Sequence, residues 1–172
     1  MVSEIALLVS VFSLCVAALS LGWQIALWLL GGRRVSIQLR HGVLGDGGIA
    51  AGPVGNGKAN DISSMRHQVF VGPEVVGVDV INVGRLPLTV SEYSLRVKGG
   101  QFSFVPHGEV IGRPLPFRLE PGESETWYVD AADARALARV HRDMGKRVAE
   151  VFMAVKLGTR EEKRTKQTLA LL

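Results

Sequence analysis

The chain has 172 residues and a mass of 18.6 kDa, the size of one domain with a small appendage. Its 20 Lys and Arg against 16 Asp and Glu give a formal net charge of +4, and every basic residue follows position 32. A single cysteine excludes a disulfide scaffold. The plentiful aliphatic residues exclude disorder for the bulk, and the lack of an internal repeat excludes collagen, coiled-coil and solenoid architectures.

Residues 5–30 (IALLVSVFSLCVAALSLGWQIALWLL) carry no charge, and their polar members are Ser10, Ser13, Ser20 and Gln24. About 20 apolar residues cross the hydrocarbon core of a bilayer as a helix, so this run predicts a single transmembrane helix, the first unit of the chain over 1–32. A serine there can bond the carbonyl one turn back. A cleaved signal peptide is the weaker reading, because it needs a basic leading region, a shorter apolar run and a small-residue cleavage site. A buried core helix seldom stays uncharged for so long. Trp23 and Trp28 suit the headgroup layer, and Gly31-Gly32 ends the helix ahead of Arg33, Arg34 and Arg40. Basic residues on that side alone predict an N-terminus outside and residues 33–172 in the cytoplasm of a single-pass cell-membrane protein. Trp23, Trp28, Arg33, Arg34 and Arg40 are thus candidate membrane-interface residues, each arginine contributing about 1 kcal/mol against anionic lipid. Ser13 and Ala17, and Ala18 and Gly22, are four apart and offer a packing face for self-association of the helix; lipid-facing small residues are the plainer reading.

Beyond the anchor the period becomes two. Residues 34–41 alternate, with Val35, Ile37 and Leu39 on one face of a half-buried strand. Residues 42–61 hold seven glycines and a proline and read as a long flexible loop. A short strand is expected at 68–71. Residues 74–82 put Val76, Val78 and Val80 in phase, a turn follows at 82–85, and Pro87 cannot donate to a central ladder. Residues 88–97 put Tyr93, Leu95 and Val97 in phase before a Gly99-Gly100 turn. Strands are expected at 101–105, with Phe102 and Phe104 in phase, and at 114–119, with Leu115, Phe117 and Leu119. Residues 120–123 form a turn in which Pro121 presets φ, and 124–129 are a strand. Asp130 can then cap a helix over 131–144, with Ala134, Leu137, Val140 and Met144 inward and Arg135, Arg139 and Arg142 outward. Residues 147–158 are the clearest strand, 159–164 a hairpin-like connection, and 166–172 close the chain. Seven or eight short strands and one short helix predict a mainly β chain, an antiparallel sandwich over 33–172.

The run VDVINVGRLPLTVSEYSL, followed by LPFRLEPGESETWYV, resembles bacterial immunoglobulin-like sandwich modules. In those, a strand ends at an Asn-x-Gly turn and a Leu-x-Pro-Gly-Glu turn opens a later strand; here the positions are Asn82, Gly84, Leu119, Pro121, Gly122 and Glu123. With its leading helix, the chain is similar to single-pass membrane proteins of high-GC bacteria, and its 14 Arg to 6 Lys fit such a genome. The resemblance covers about residues 74–172. It implies an immunoglobulin-like sandwich, and no activity or functional residue.

Chemistry is sparse. Residues 52–59 read G-x-x-x-x-G-K-A, one hydroxyl short of a phosphate-binding loop, and no buried strand or helix flanks them as that loop requires. Gly45-x-Gly47-x-x-Ala50 fails as a dinucleotide fingerprint, since Pro53 and further glycines follow where a helix should start. His41, His67, His107 and His141 are not at metal-ligand spacing. Glu120, Glu123 and Glu125 crowd one turn and read as a solvated acidic corner. No nucleophile elbow exists. No catalytic, cofactor or metal residue is therefore assigned. Arg135, Arg139 and Arg142 make a basic helix face, a candidate partner-binding face. It lacks the interleaved aromatics of a nucleic-acid surface, so no nucleic-acid partner is expected. The composite expectation is a membrane-anchored, non-enzymatic interaction or scaffold protein, bound to the lipid bilayer and to a protein partner. Two alternatives stand beside it: a small envelope or phage-encoded membrane protein acting through helix-mediated oligomers, and an enzyme whose site is assembled only in space.

Overall fold

The computed structural model describes residues 2–32, 34–55, 57–63, 66, 71–107, 111–145 and 149–171. Helix α1 spans Val2–Leu30. The most apolar 18 residues within Ser3–Leu27 have a mean hydropathy of 2.4, and none of them is buried. At 1.5 Å per residue α1 is about 43 Å long, enough to cross a hydrocarbon core of about 30 Å. The Ser10 and Ser13 hydroxyls donate to the Ala6 and Val9 carbonyl oxygens at 2.9 and 2.8 Å, which removes their demand for water. The short strand expected at 68–71 lies, but for Val71, outside the described residues.

Eleven strands follow among the described residues: β1 (Val35–Gly45), β2 (Gly48–Pro53), β3 (Gly57–Lys58), β4 (Glu74–Asn82), β5 (Leu88–Val97), β6 (Ser103–Phe104), β7 (Phe117–Leu119), β8 (Ser124–Asp130), β9 (Glu150–Leu157), β10 (Glu162–Arg164) and β11 (Leu169–Ala170). Helix α2 (Ala131–Asp143) sits between β8 and β9. One sheet runs β2-β1-β4-β8, and the other runs β3-β11-β9-β5-β6, with β10 on β9 and β7 on β5. All pairings between these strands are antiparallel except β3 with β11.

Alternation explains the core. Leu39, Val76, Val78, Val80, Trp127 and Val129 of the first sheet face Val90, Tyr93, Leu95, Val151, Met153 and Val155 of the second. Trp127 is fully buried, and its indole N–H donates to the Arg113 carbonyl oxygen at 2.7 Å. Its ring lies 6.4 Å from Tyr93 and 6.2 Å from Phe117, the latter edge-on.

Two segments depart from the sequence expectation. The long loop expected at 42–61 is largely a hairpin: β1 runs on to Gly45 and pairs with β2, Val43 opposite Ala50 and Gly42 opposite Ala51. Its glycines serve close approach as well as freedom, since a side chain on Gly42 would run into the Ala50 carbonyl oxygen. Val43 and Val54 are buried. The connection expected at 159–164 is a tight turn followed by β10, which pairs Lys163 with Val155.

The registers define two ends. Val35 pairs with Asn82 and Ile81 with Ser124, so the end nearest α1 gathers the start of β1, the 82–87 turn and the 120–123 turn. Asn82 binds these together. Its backbone N–H donates to the Glu123 carbonyl oxygen and its own carbonyl oxygen accepts from Gly122 N–H. Its side-chain amide donates to the Leu86 and Leu119 carbonyl oxygens at 2.9 and 3.1 Å, and its Oδ1 accepts from Gly84 N–H at 3.1 Å. The two turns that carry the sequence resemblance are thus bonded to each other. The opposite, distal end holds the start of β4, α2 and the Gly99-Gly100 turn, about 30 Å away at about 3.3 Å per residue along the ten residues of β5.

A candidate partner-binding face at the distal end

Asp130 starts α2, its carboxylate accepting from Ala132 N–H at 2.7 Å, a helix cap of the expected kind. The face that α2 buries is Ala131, Ala134, Ala138 and His141, with Leu137 packed beside it. This corrects the expected inward set. Val140 and Met144 are each more than half exposed, because the alanines let the helix lie close on the sheets and turn the larger side chains outward. Phe102, expected inward with Phe104, follows the Gly99-Gly100 turn and is also more than half exposed.

These three residues line one groove. A cavity of about 250 Å³ is bounded by Gly99, Gly100, Gln101, Phe102, His141 and Met144. A small recess reaching Val97, Leu137 and Val140 adjoins it, sharing Gly100, Phe102 and His141. His141 is 7% exposed and its ring makes no hydrogen bond among the described residues. Its ring nitrogens can therefore serve a group that enters the groove. Arg139 and Arg142 are exposed on the same helix.

Arg135, expected on the free basic face, is instead committed. It donates to Glu74 Oε2, while the His41 ring Nε2 lies 2.8 Å from Glu74 Oε1. Asn60 N–H donates to His41 Nδ1 at 3.1 Å, which places the ring hydrogen on Nε2, pointing at the carboxylate. Asn60 Nδ2 donates to the His41 and Gly52 carbonyl oxygens. His41 is 1% exposed, so both ring nitrogens are held inside a latch joining β1, the segment after β3, β4 and α2. Burial pushes the Glu74 carboxyl up, but the His41 and Arg135 contacts outweigh it and hold its pKa below the ordinary value. Sequence reasoning missed this latch, although His41 falls in phase with Val35, Ile37 and Leu39 and so had to point inward.

The expected membrane-interface residues are dispersed. Trp23 is exposed on α1; Arg33 and the Trp28 side chain lie outside the described residues. Arg34 is exposed, and its carbonyl oxygen accepts from Gly84 N–H at 3.0 Å. Arg40 stands apart from Arg34 along the sheet. It lies five residues into β1, about 17 Å from Val35, and its guanidinium grips Asp79 Oδ2 at 3.1 and 2.7 Å. Asp79 is nearly buried and also accepts from the Thr126 hydroxyl at 3.3 Å.

The remaining motifs resolve structurally. Gly57 and Lys58 sit in β3 beside β11, and residues 59–62, which follow directly, are not helical. Glu120 pairs with Arg118 at 2.8 Å and Glu125 with Arg113 at 3.3 Å, while the Glu123 carboxylate accepts from Glu120 N–H at 2.8 Å. Among the described residues no cluster of three or more His, Cys, Asp or Glu could hold a metal ion. Comparison with protein-family models, with curated proteins and with solved structures gives no match to this chain.

Proposed function

We propose that this chain is a single-pass, membrane-anchored binding module, non-enzymatic, whose immunoglobulin-like sandwich presents the distal groove to a protein partner on the cytoplasmic side. The observation that carries it is the groove itself: exposed Phe102, Val140 and Met144 surround the His141 imidazole, which has no partner among the described residues, next to Arg139 and Arg142. Apolar surface of this kind, rimmed by charge, suits a protein contact. The length and hydropathy of α1 support the anchor.

The test uses the full chain in living cells, with a photo-crosslinking phenylalanine analogue at Met144. A discrete protein adduct is expected, lost in the Phe102→Ser/Val140→Ser variant and absent when the probe stands at Thr89. Adducts indifferent to that variant, or none at all, would remove the proposal. Sidedness is read with Gly47→Cys in a Cys15→Ser background. Gly47 lies at the tip of the β1–β2 hairpin, with open space around a new side chain. A membrane-impermeant maleimide should label it only after lysis.

One observation favours a second reading. Cys15, Ala18, Leu19, Gly22, Trp23 and Ala26 line a furrow along α1, and Ala18, Gly22 and Ala26 are spaced four apart, as in closely packed membrane helices. Self-association through it would be lost in Gly22→Leu, read as a dimer-to-monomer change by cross-linking in bilayers.

A further inference from the structure

We infer that the 82–87 turn seats in the headgroup layer of the bilayer that α1 crosses, with Val83 and Leu86 dipping into the interface. The inference rests on the reading of α1 as an anchor. Three observations lead to it. First, the turn is tied to the chain just as it leaves the helix: Gly84 N–H donates to the Arg34 carbonyl oxygen at 3.0 Å. Arg34 is four residues after Leu30, the last residue of α1, and four residues reach at most about 14 Å. The turn therefore cannot be far from the point where α1 leaves the membrane.

Second, the turn exposes apolar side chains that nothing in the fold requires to be outside. Val83 is 56% and Leu86 47% exposed, on a four-residue stretch whose other members are Gly84 and Arg85. Arg85 is exposed and has no partner among the described residues, so it is available to phosphate groups while its aliphatic stem lies along the apolar layer. Third, the turn is rigid where it counts. Asn82 is fully buried and holds both Gly84 and Leu86, so Val83 and Leu86 are presented without a further loss of chain freedom on docking.

Among the described residues the charge at this end is close to balanced. Arg34, Arg85 and Arg118 stand near Glu120 and Glu123, and Arg118 is already paired with Glu120. The seating is accordingly led by Val83 and Leu86, and it should occur on zwitterionic lipid.

The experiment uses the full chain with Cys15→Ser and a single new cysteine, at Val83, Leu86 or Gly47, carrying an environment-sensitive nitrobenzoxadiazole label. Each protein is reconstituted into phosphatidylcholine vesicles and floated on a density gradient. The expected result is blue-shifted emission from positions 83 and 86, quenched by nitroxide placed shallowly on the lipid, with position 47 remaining aqueous. Co-floating protein whose labels at 83 and 86 match position 47 would overturn the seating and leave the anchor standing. Protein that fails to float would overturn the anchor and the seating together. Blue-shifted emission that lipid nitroxide does not quench would assign the turn to a protein contact and also overturn the inference.

Discussion

Replacing Asn82 by alanine should destabilise the domain by about 2–4 kcal/mol. The side chain is fully buried and makes three hydrogen bonds. The bond to the Leu119 carbonyl oxygen is buried, so that acceptor would be orphaned at about 1–3 kcal/mol. Leu86 and Gly84 are partly exposed; water can reach the Leu86 carbonyl oxygen, Gly84 N–H keeps its bond to the Arg34 carbonyl oxygen, and each lost bond costs about 0.5–1 kcal/mol. Asn82→Asp makes the sharper control. It keeps the acceptor for Gly84 N–H but sets carboxylate oxygen against the Leu86 and Leu119 carbonyl oxygens, and should be at least as damaging at neutral pH as the alanine. The assay is denaturant unfolding of the full chain in mild detergent, followed by near-ultraviolet circular dichroism of the buried Trp127. A loss under about 1 kcal/mol for Asn82→Ala would show that the two turns hold without the amide, and would refute its role as the tie of the proximal end.

Arg40→Met should cost about 2–4 kcal/mol, because it leaves the nearly buried Asp79 with the Thr126 hydroxyl alone; Arg40→Met with Asp79→Leu should restore most of the loss in the same assay. The Glu74 carboxyl is held below its unfolded value of about 4.5. Its stabilisation is therefore present above that value and lost as pH falls through the folded one, and Glu74→Gln should flatten the acid limb of a stability curve taken from about pH 7 to about pH 3. Gly77→Ala should cost about 1–2 kcal/mol, since the new methyl meets the Tyr128 ring, which can swing only partly aside, and the Trp127 carbonyl oxygen at 3.1 Å; unchanged thermal unfolding would contradict the packing described for that face.

Hydropathy and alternation carry the legible part of this fold. Residues 5–30 are apolar enough to mark α1. Val76, Val78 and Val80, like Tyr93, Leu95 and Val97, repeat at period two, and β4 and β5 have the boundaries that this pattern predicts. Asp130 and Gly145 bracket α2 in the same way. Inference from residue type alone fails. Seven glycines over 42–61 suggest a loop, yet a glycine can equally be the residue that admits a close strand, as Gly42 does against Ala50. In α2 hydrophobic size points Val140 and Met144 at the core, whereas alanines take it because a small face lets a helix sit closer to the sheet. Contacts over long separations leave no local trace. Arg40 meets Asp79 39 residues on, His41 meets Glu74 33 residues on, and Arg135 meets Glu74 from 61 residues away. Two of the arginines that composition offers to lipid or partner are therefore held inside the domain's own ion pairs.

The two ends are built from different materials, and that separates stability from binding. The proximal end is a polar joint, in which Asn82 exchanges backbone bonds with Gly122 and Glu123 and its Oδ1 accepts from Gly84 N–H; perturbing it should loosen the sandwich and the turn together. The distal end rests on the alanine face of α2 and on the Glu74 latch. Phe102, Val140 and Met144 support neither, being mostly exposed. Polar substitutions at those three should weaken partner capture with little change in unfolding, the opposite of what Asn82→Ala would do. With the 82–87 turn seated at the headgroups, the length of β5 allows the groove to stand up to about 30 Å above them. A partner would have to present its own contact surface at that height, which favours a second membrane-tethered domain or a soluble protein over a segment lying flat on the bilayer.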